Sequence, residues 1–230
     1  VSHSDPIHLR PTAPLAERVL LPGDPGRALA LAQSLLKAPL MFNHHRGLWG
    51  YTGLAPDGEP LTIQSTGMGG PSAAIVLSEL VAMGAARAIR VGTCGALAPG
   101  LALGELVIAR ESICADGTSR ALAGKDRVAA DPELTDALAH EAQSARTGAI
   151  VSVDLFYDAL LPPDADDALA VEMEAATLFA IGASSGVPVA CILAVSDTFD
   201  AAGGRERIGD EPLLSAAEAI GAAAIGALSR

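Results

Sequence analysis

Short apolar runs alternate with helical patterns along almost the whole chain, and this alternation restricts the fold more than any other feature of the sequence. A strand-helix rhythm of this kind builds a sheet covered by helices, the α/β layer architecture. Strand signals fall at Arg18 to Leu21, Leu48 to Leu54, Leu61 to Ser65, Ala88 to Val91, Leu106 to Ala109, Gly148 to Val153 and Val187 to Val195. Helical signals fall at Pro25 to Leu36, Gly69 to Met83, Asp131 to Arg146, Glu174 to Ser184 and Leu213 to Leu228. Asp24 reads as an N-cap with Pro25 at the first helical position. Asp57-Gly58 reads as a hairpin turn. Leu161 to Asp167 and Ala202 to Asp210 read as exposed loops. No repeat and no linker-like stretch interrupts the pattern, so residues 1–230 read as a single domain.

Composition limits the function classes. Half of the residues are hydrophobic and 18% are charged, which gives a packed core rather than disorder. The formal net charge of -12 argues against a nucleic-acid binder, which needs a basic face. Any phosphate must then be met locally, against a repulsive overall field. Cys94, Cys114 and Cys191 are widely spaced and show no metal-binding pattern, which suits free thiols in a reducing cytoplasm. Residues 1–6 are polar, and no apolar run reaches membrane-spanning length without a charge or a glycine. A cytoplasmic protein without membrane, metal or organic cofactor is expected.

Three arginines stand in settings that surface solvation does not explain. Arg90 interrupts the apolar strand Ala88-Ile-Arg-Val91, which opens into Gly92-Thr-Cys-Gly95. A buried guanidinium is costly unless something negative meets it, and with Thr93 and flexible glycines it makes an anion pocket. Arg27 follows Leu21-Pro-Gly-Asp-Pro-Gly, where a strand ends at Gly23 and a helix begins. Helix N-termini favour anions. Arg46 lies in His44-His-Arg-Gly47.

Two acidic motifs complete the set. Glu172 and Glu174 flank Met173 in Val171-Glu-Met-Glu-Ala175, facing one side of an extended segment. Carboxylates accept from vicinal sugar hydroxyls, and methionine offers an adaptable apolar contact. In Ala194-Val-Ser-Asp-Thr198, Asp197 follows Ser196 at the end of an apolar strand, where α/β sheets place their sites. Partial burial raises the pKa of such a carboxyl, which suits a general acid. Each motif alone also fits a bland structural role: a cap, a turn or a solvated helix start.

Taken in order, these motifs resemble the nucleoside phosphorylase family that contains the hexameric purine nucleoside phosphorylases and the uridine phosphorylases. The matching residues are Pro22-Gly-Asp-Pro25 with Arg27, His45-Arg46-Gly47, Ser65-Thr-Gly-Met-Gly-Gly-Pro-Ser72, Arg90-Val-Gly-Thr-Cys-Gly95, Phe156, Val171-Glu-Met-Glu174 and Ser196-Asp197. The resemblance implies a three-layer α/β/α sandwich around a mixed, twisted sheet that partly closes into a barrel. It implies Gly23, Arg27, Arg90 and Thr93 around phosphate, with Arg46 and His8 arriving from a neighbouring subunit of a trimer of dimers. It implies Met173 and Glu174 at the ribose, with His8 toward its 5′-hydroxyl. Cys94, Gly95, Phe156, Val171, Glu172 and Ser196 would border the base. Asp197 would donate a proton to purine N7, with Arg207 modulating it. Inorganic phosphate is then the co-substrate, and no cofactor is needed.

Base choice follows from departures within the family. The stretch from Ser65 to Pro71 is closer to the uridine branch. That branch reads uracil with a Gln and an Arg just after the Phe156 position. Here Tyr157-Asp-Ala-Leu-Leu-Pro-Pro163 supplies neither. The Ser196-Asp197 pair is that of the purine branch, so phosphorolysis of purine nucleosides is the favoured expectation. Uridine phosphorolysis, cleavage of methylthioadenosine by phosphate or water, and non-catalytic nucleoside binding are the alternatives.

Overall fold

The computed structural model describes residues 6–157, 161–199 and 204–230. Its strands are β1 (Arg18–Leu21), β2 (Lys37–Asn43), β3 (Gly50–Leu54), β4 (Pro60–Gln64), β5 (Arg87–Ala96), β6 (Leu106–Ala115), β7 (Arg127–Ala129), β8 (Arg146–Val153), β9 (Ala170–Glu172), β10 (Val189–Phe199) and β11 (Arg205–Arg207). Its α-helices are α1 (Pro25–Leu35), α2 (Gly70–Ala82), α3 (Gly117–Ala123), α4 (Pro132–Glu141), α5 (Ala175–Ser185) and α6 (Asp210–Leu228).

The strands form one mixed sheet. Strand β5 pairs with β10, β10 with β6, β6 with β8, β8 with β9, and β9 returns to β5. This ring is a closed five-stranded barrel. From β5 the sheet continues as an open wing through β1, β4, β3 and the edge strand β2. Alternate residues face opposite helical layers, as the two-residue period of a strand requires. Leu20, Ile89 and Ile192 pack toward α1, α4 and α6, whereas Val19, Leu21, Cys191 and Leu193 pack toward α2 and α5. The three-layer α/β/α sandwich is therefore present, with a partly barrel-closed sheet.

Local signals set many of the boundaries. Asp24 caps α1, its side chain accepting from Arg27 N at 2.6 Å, with Pro25 in the first turn. The Asp57-Gly58 turn joins β3 and β4 in antiparallel register. A core poor in aromatics must pack closely, and glycines supply the room. A Cβ on Gly221 of α6 would lie 2.6 Å from Leu35 of α1, and one on Gly182 of α5 would lie 2.8 Å from the Val187 carbonyl oxygen. Helix α6 has the length and apolarity of a membrane span. Here Ile220, Ala224 and Leu228 are buried in the cluster that α6 shares with α1, α4 and β10, and that packing accounts for its composition.

The structure departs from the sequence-based expectation in instructive places. Gly92-Thr-Cys-Gly95 is not a loop: β5 runs through it to Ala96, because β10 pairs with all of it and β9 joins at Gly95 and Ala96. Strand β10 runs on to Phe199, so Ser196 and Asp197 lie inside a strand. Arg205–Arg207, expected in a polar loop, pairs with the end of β10. Edge strand β2 carries Pro39 and is mostly exposed, so it shows no alternation. Helix α3 has only 7 residues, too short for a periodic signal.

Gly182→Ala should be destabilising, because the added Cβ would lie 2.6 Å from the Val189 Cγ2 methyl and 2.8 Å from the Val187 carbonyl oxygen, a backbone atom that cannot swing aside. Overpacking of this kind costs about 1–3 kcal/mol. The urea unfolding midpoint should fall accordingly; an unchanged midpoint would show that α5 shifts freely on the sheet.

Candidate active site

A cavity of about 700 Å³ opens where the ends of β5 and β10 meet the start of α1 and α5. That size suits a small organic ligand. It has a charged part beside the glycine loops and an apolar part beside the barrel mouth.

Arg90 organises the charged part. Its side chain is buried and folds back along its own strand over Gly92, where any Cβ would lie 2.9 Å from the guanidinium carbon. Nη2 pairs with Glu174 Oε2 at 2.5 Å, and Nε lies 2.9 Å from Glu172 Oε2 in poor hydrogen-bond alignment. Burial opposes its charge, but Glu174 and Glu172 outweigh burial and raise its pKa. Nη1 is buried without a hydrogen-bond partner among the described residues. It faces Gly23, where an added Cβ would lie 3.9 Å away. A buried guanidinium nitrogen without a partner beside a helix-opening glycine loop has the chemistry to contact an anion.

The acidic partners are themselves held in place. Glu172 ends β9, accepts from the Glu174 and Ala175 backbone N–H groups at 2.8 and 3.0 Å, and accepts from Ser152 Oγ. It thereby caps the N-terminus of α5, where a negative charge is favoured. Glu174 stands at the N-cap position and accepts from Gly69 N at 2.5 Å. Burial and the Glu172 charge raise the Glu174 pKa against the pull of Arg90. Arg27, one turn into α1, lines the same space. Its pKa is lowered by burial, while the upward pull of Asp24 and Glu174 at least matches the repulsion from Arg90 and Arg207. An anion beside it would offset the cost of burying this cation.

The apolar part is walled by Leu97, Val153, Leu155, Phe156, Val171 and Phe199. Phe199 sits on Gly95, its ring 3.1 Å from where a Cβ would stand. Among these walls lies Asp197. A β-bulge between Val195 and Asp197 shifts the register against β5 and re-aims that side chain. Ser196 Oγ donates to Asp197 Oδ2 at 2.7 Å. Arg205 Nε donates to Asp197 Oδ1 at 2.7 Å, while Arg207 Nη1 stands off at 3.4 Å. The Arg205 guanidinium also lies 4.4 Å from the Phe156 ring centroid, a cation-π contact.

The sequence model of the phosphorylase superfamily matches residues 17–226. The chain belongs to the phosphorylase superfamily. Among curated members it is 34% identical over 198 residues to the DeoD-type purine nucleoside phosphorylase of Geobacillus kaustophilus, covering 81% of this chain and 83% of that one. It is 36% identical over 210 residues to the protein of the same description from Clostridium beijerinckii, covering 84% and 86%. A Clostridium novyi relative, also so named, is 36% identical over 195 residues, covering 80% and 83%.

Within this superfamily member the cavity gathers Gly23, Arg27, Arg46, Arg90, Thr93, Cys94, Gly95, Phe156, Val171, Glu172, Met173, Glu174, Ser196 and Asp197. Arg46 borders the cavity of its own chain, in a left-handed backbone conformation with φ 59°, whereas the resemblance brings it from a neighbour. His8 does not line this cavity: its Nδ1 lies 2.7 Å from Glu79 Oε1, and the Leu9 backbone N–H donates to Glu79 Oε2 at 2.7 Å. Arg207 is exposed and further from Asp197 than Arg205. The expected upward pKa of Asp197 is corrected. Burial does act upward, but the hydrogen bonds from Arg205 and Ser196 and the charges of Arg205 and Arg207 outweigh it, and the pKa is lowered. Cys94, raised by burial, is a neutral thiol. Arg205 and Phe199 carry no motif; only their distance from Asp197 along the chain hinted at them. Asp158, Ala159, Leu160 and residues 200–203 lie outside the described residues.

Arg90→Met should leave Glu172 and Glu174 without their cation, a loss of about 3–5 kcal/mol for a broken buried pair. The raised pKa of Glu174 means that the folded state holds this proton more tightly than the unfolded one. The group therefore costs stability as pH rises from 4.5 through its folded value. Removing Arg90 raises that value further. The Tm deficit of the variant should therefore be larger near about pH 8 than near about pH 5; a deficit independent of pH would contradict the pairing.

Proposed function

We propose that this protein cleaves purine nucleosides with inorganic phosphate, releasing the free base and ribose 1-phosphate. The observation that carries this reading is the unpartnered Nη1 of Arg90, buried beside the Gly23 loop with Arg27 at its side. A hydrolase has no use for such a contact. The names of the relatives support the purine class.

The chemistry follows from the two parts of the cavity. Cleavage of the glycosidic bond builds positive charge on the ribose and negative charge on the base. Phosphate held by Arg27, Arg90 and Thr93, with Arg46 at the rim, stabilises the first charge and attacks C1′. Glu174 accepts from the ribose hydroxyls, and Met173 packs against the sugar. Phe156, Val171, Cys94 and Gly95 flank the base, and Glu172 and Ser196 hold the side chains that meet it. Asp197 faces N7 and neutralises the departing base by proton donation. Arg205 favours its ionised form. Donation therefore requires the Arg205 contact to open, leaving burial to raise the pKa. Catalysis rests on positioning and fixed charges, without a covalent enzyme intermediate.

We infer a homo-oligomer acting in the cytoplasm. His8 stands off its own cavity, its Nδ1 held by Glu79, in a position suited to serving a neighbour's ribose site. Leu40, Met41, Trp49 and Ile75 are exposed apolar side chains suited to subunit contact. The three cysteines are free and buried, as a reducing compartment allows.

A panel of purine and pyrimidine nucleosides, assayed with and without phosphate, tests the reading. Purine cleavage that depends on phosphate is expected; cleavage in water alone, or of uridine only, would overturn it. Asp197→Asn keeps the hydrogen-bonding shape but carries no acidic proton. It should lower kcat/KM on inosine about 10²- to 10⁴-fold while still folding, with some loss of thermal stability at neutral pH because the lowered Asp197 pKa marks a stabilising pair with Arg205; undiminished turnover would remove Asp197 from the proton path.

A further inference from the structure

We propose that Ser152 is a positioning residue for phosphate, acting through Glu172 to keep one nitrogen of Arg90 free for the anion. This rests on the reading of the cavity as a site of phosphorolysis. Its starting point is a row of polar side chains, one from each of four adjoining strands of the barrel: Ser112 on β6, Ser152 on β8, Glu172 on β9 and Arg90 on β5.

The two serines stand where the fold calls for apolar side chains. Both are fully buried, and neither lines the cavity. Strand residues two apart share a face. The neighbours of the serines on that face, Cys114 and Ile150, belong to the core that α5 covers, whereas Ile113, Val151 and Val153 pack on the opposite side. A buried hydroxyl is costly unless its hydrogen bonds are made, so the pair needs a reason.

Their bonding has a direction. Ser152 Oγ donates to Glu172 Oε1. A hydroxyl has one proton and two lone pairs. The lone pairs of Ser152 meet the Ala176 backbone N–H at 2.9 Å and Ser112 Oγ at 2.9 Å. With the Ser152 proton committed to the carboxylate, Ser112 is the donor to Ser152. The row therefore points one way, from Ser112 through Ser152 to Glu172. Capping of α5 accounts for the Ala176 contact alone. It accounts neither for Ser112 nor for the proton aimed at Glu172.

The restraint on Glu172 reaches Arg90. Ser152 and the Ala175 N–H hold Oε1, and the Glu174 and Ala175 N–H groups hold Oε2. Tied at both oxygens, the carboxylate cannot turn into the two-point pairing that a guanidinium prefers. Its Oε2 lies 2.9 Å from Arg90 Nε but is poorly aligned for a hydrogen bond. Glu172 thus balances the charge of Arg90 without occupying its donors, and Nη1 faces Gly23 with no partner among the described residues. Without the Ser152 hydroxyl, Oε1 is released. The carboxylate then rotates onto Arg90, and the guanidinium follows it away from the Gly23 loop.

The test titrates the wild type, Ser152→Ala, Ser152→Cys, Ser112→Ala and Gly182→Ala with inorganic phosphate. Tm is measured alongside, with kcat and the KM for inosine at saturating phosphate. Ser152→Ala should raise the phosphate Kd about 10-fold, the scale of one weakened hydrogen bond to a charged group. Its kcat and inosine KM at saturating phosphate should stay nearly unchanged. Ser152→Cys fills the same space with a weak donor and should act alike, which carries the test if Ser152→Ala does not fold. Ser112→Ala should shift phosphate affinity in the same direction by less. Gly182→Ala strains α5 without touching the row, so its phosphate Kd should stay at the wild-type value whatever its loss of Tm. Unchanged phosphate affinity in the Ser152 variants, an equal loss in Gly182→Ala, or a rise in inosine KM as large as that in phosphate Kd would overturn the positioning role. A wild type that binds no phosphate would instead overturn the phosphorolysis reading beneath it.

Discussion

A single buried guanidinium facing two buried carboxylates dictates much of the local structure around the cavity. Three charges removed from water carry a large desolvation penalty, and only tight mutual pairing offsets it. Arg90 meets Glu172 and Glu174 on one side and leaves one nitrogen uncommitted on the other. The demands of this arrangement spread outward. Position 92 must be glycine, since a Cβ would occupy the space of the guanidinium. Glu172 must end β9 and cap α5, which ties the barrel to the helical layer. Glu174 must stand at the helix start, where the Gly69 backbone reaches it. One strand residue thus fixes the relative placement of β5, β9, α5 and the loop before α2.

The closed ring of strands gives this cluster its second half. Because β10 pairs with β5 along its length and β9 takes up its other flank at Gly95 and Ala96, the Gly-Thr-Cys-Gly segment is a strand rather than a loop. That pairing lets Thr93, Cys94 and Gly95 border a cavity at defined positions. The bulge in β10 turns Asp197 into the same cavity, and β11 brings two arginines beside it. Positive charge from Arg27 and Arg90 and negative charge from Glu174 and Asp197 thus lie close together without full mutual neutralisation. Such a field is suited to a reaction in which charge separates between sugar and base.

What the sequence revealed, and what it did not, follows from the range of the interactions. The α/β architecture was legible because alternating apolar runs and capped helices are local signals. Asp24, Pro25 and Asp57-Gly58 announced their elements in a few residues. The candidate site residues were legible because motifs cluster at strand ends. The partner of Arg90 was not: that its charge is met by both Glu172 and Glu174 depends on a pairing of β5 with β9 across some eighty positions of chain. Nor was the state of Asp197. Burial alone pointed to a raised pKa, and the opposing arginine became visible only once β11 folded back on β10. Edge strand β2 and helix α3 escaped because one is exposed and the other short, so neither imposes a period on its residues.

The most direct measurement of the central claim is a crystal structure of the protein with inorganic phosphate. The ion should sit between the Gly23 loop, Arg27 and Thr93, with one oxygen within hydrogen-bond distance of Arg90 Nη1, while Nη2 remains on Glu174. Phosphate bound elsewhere, or an Arg90 Nη1 still without a partner at saturating phosphate, would contradict the account.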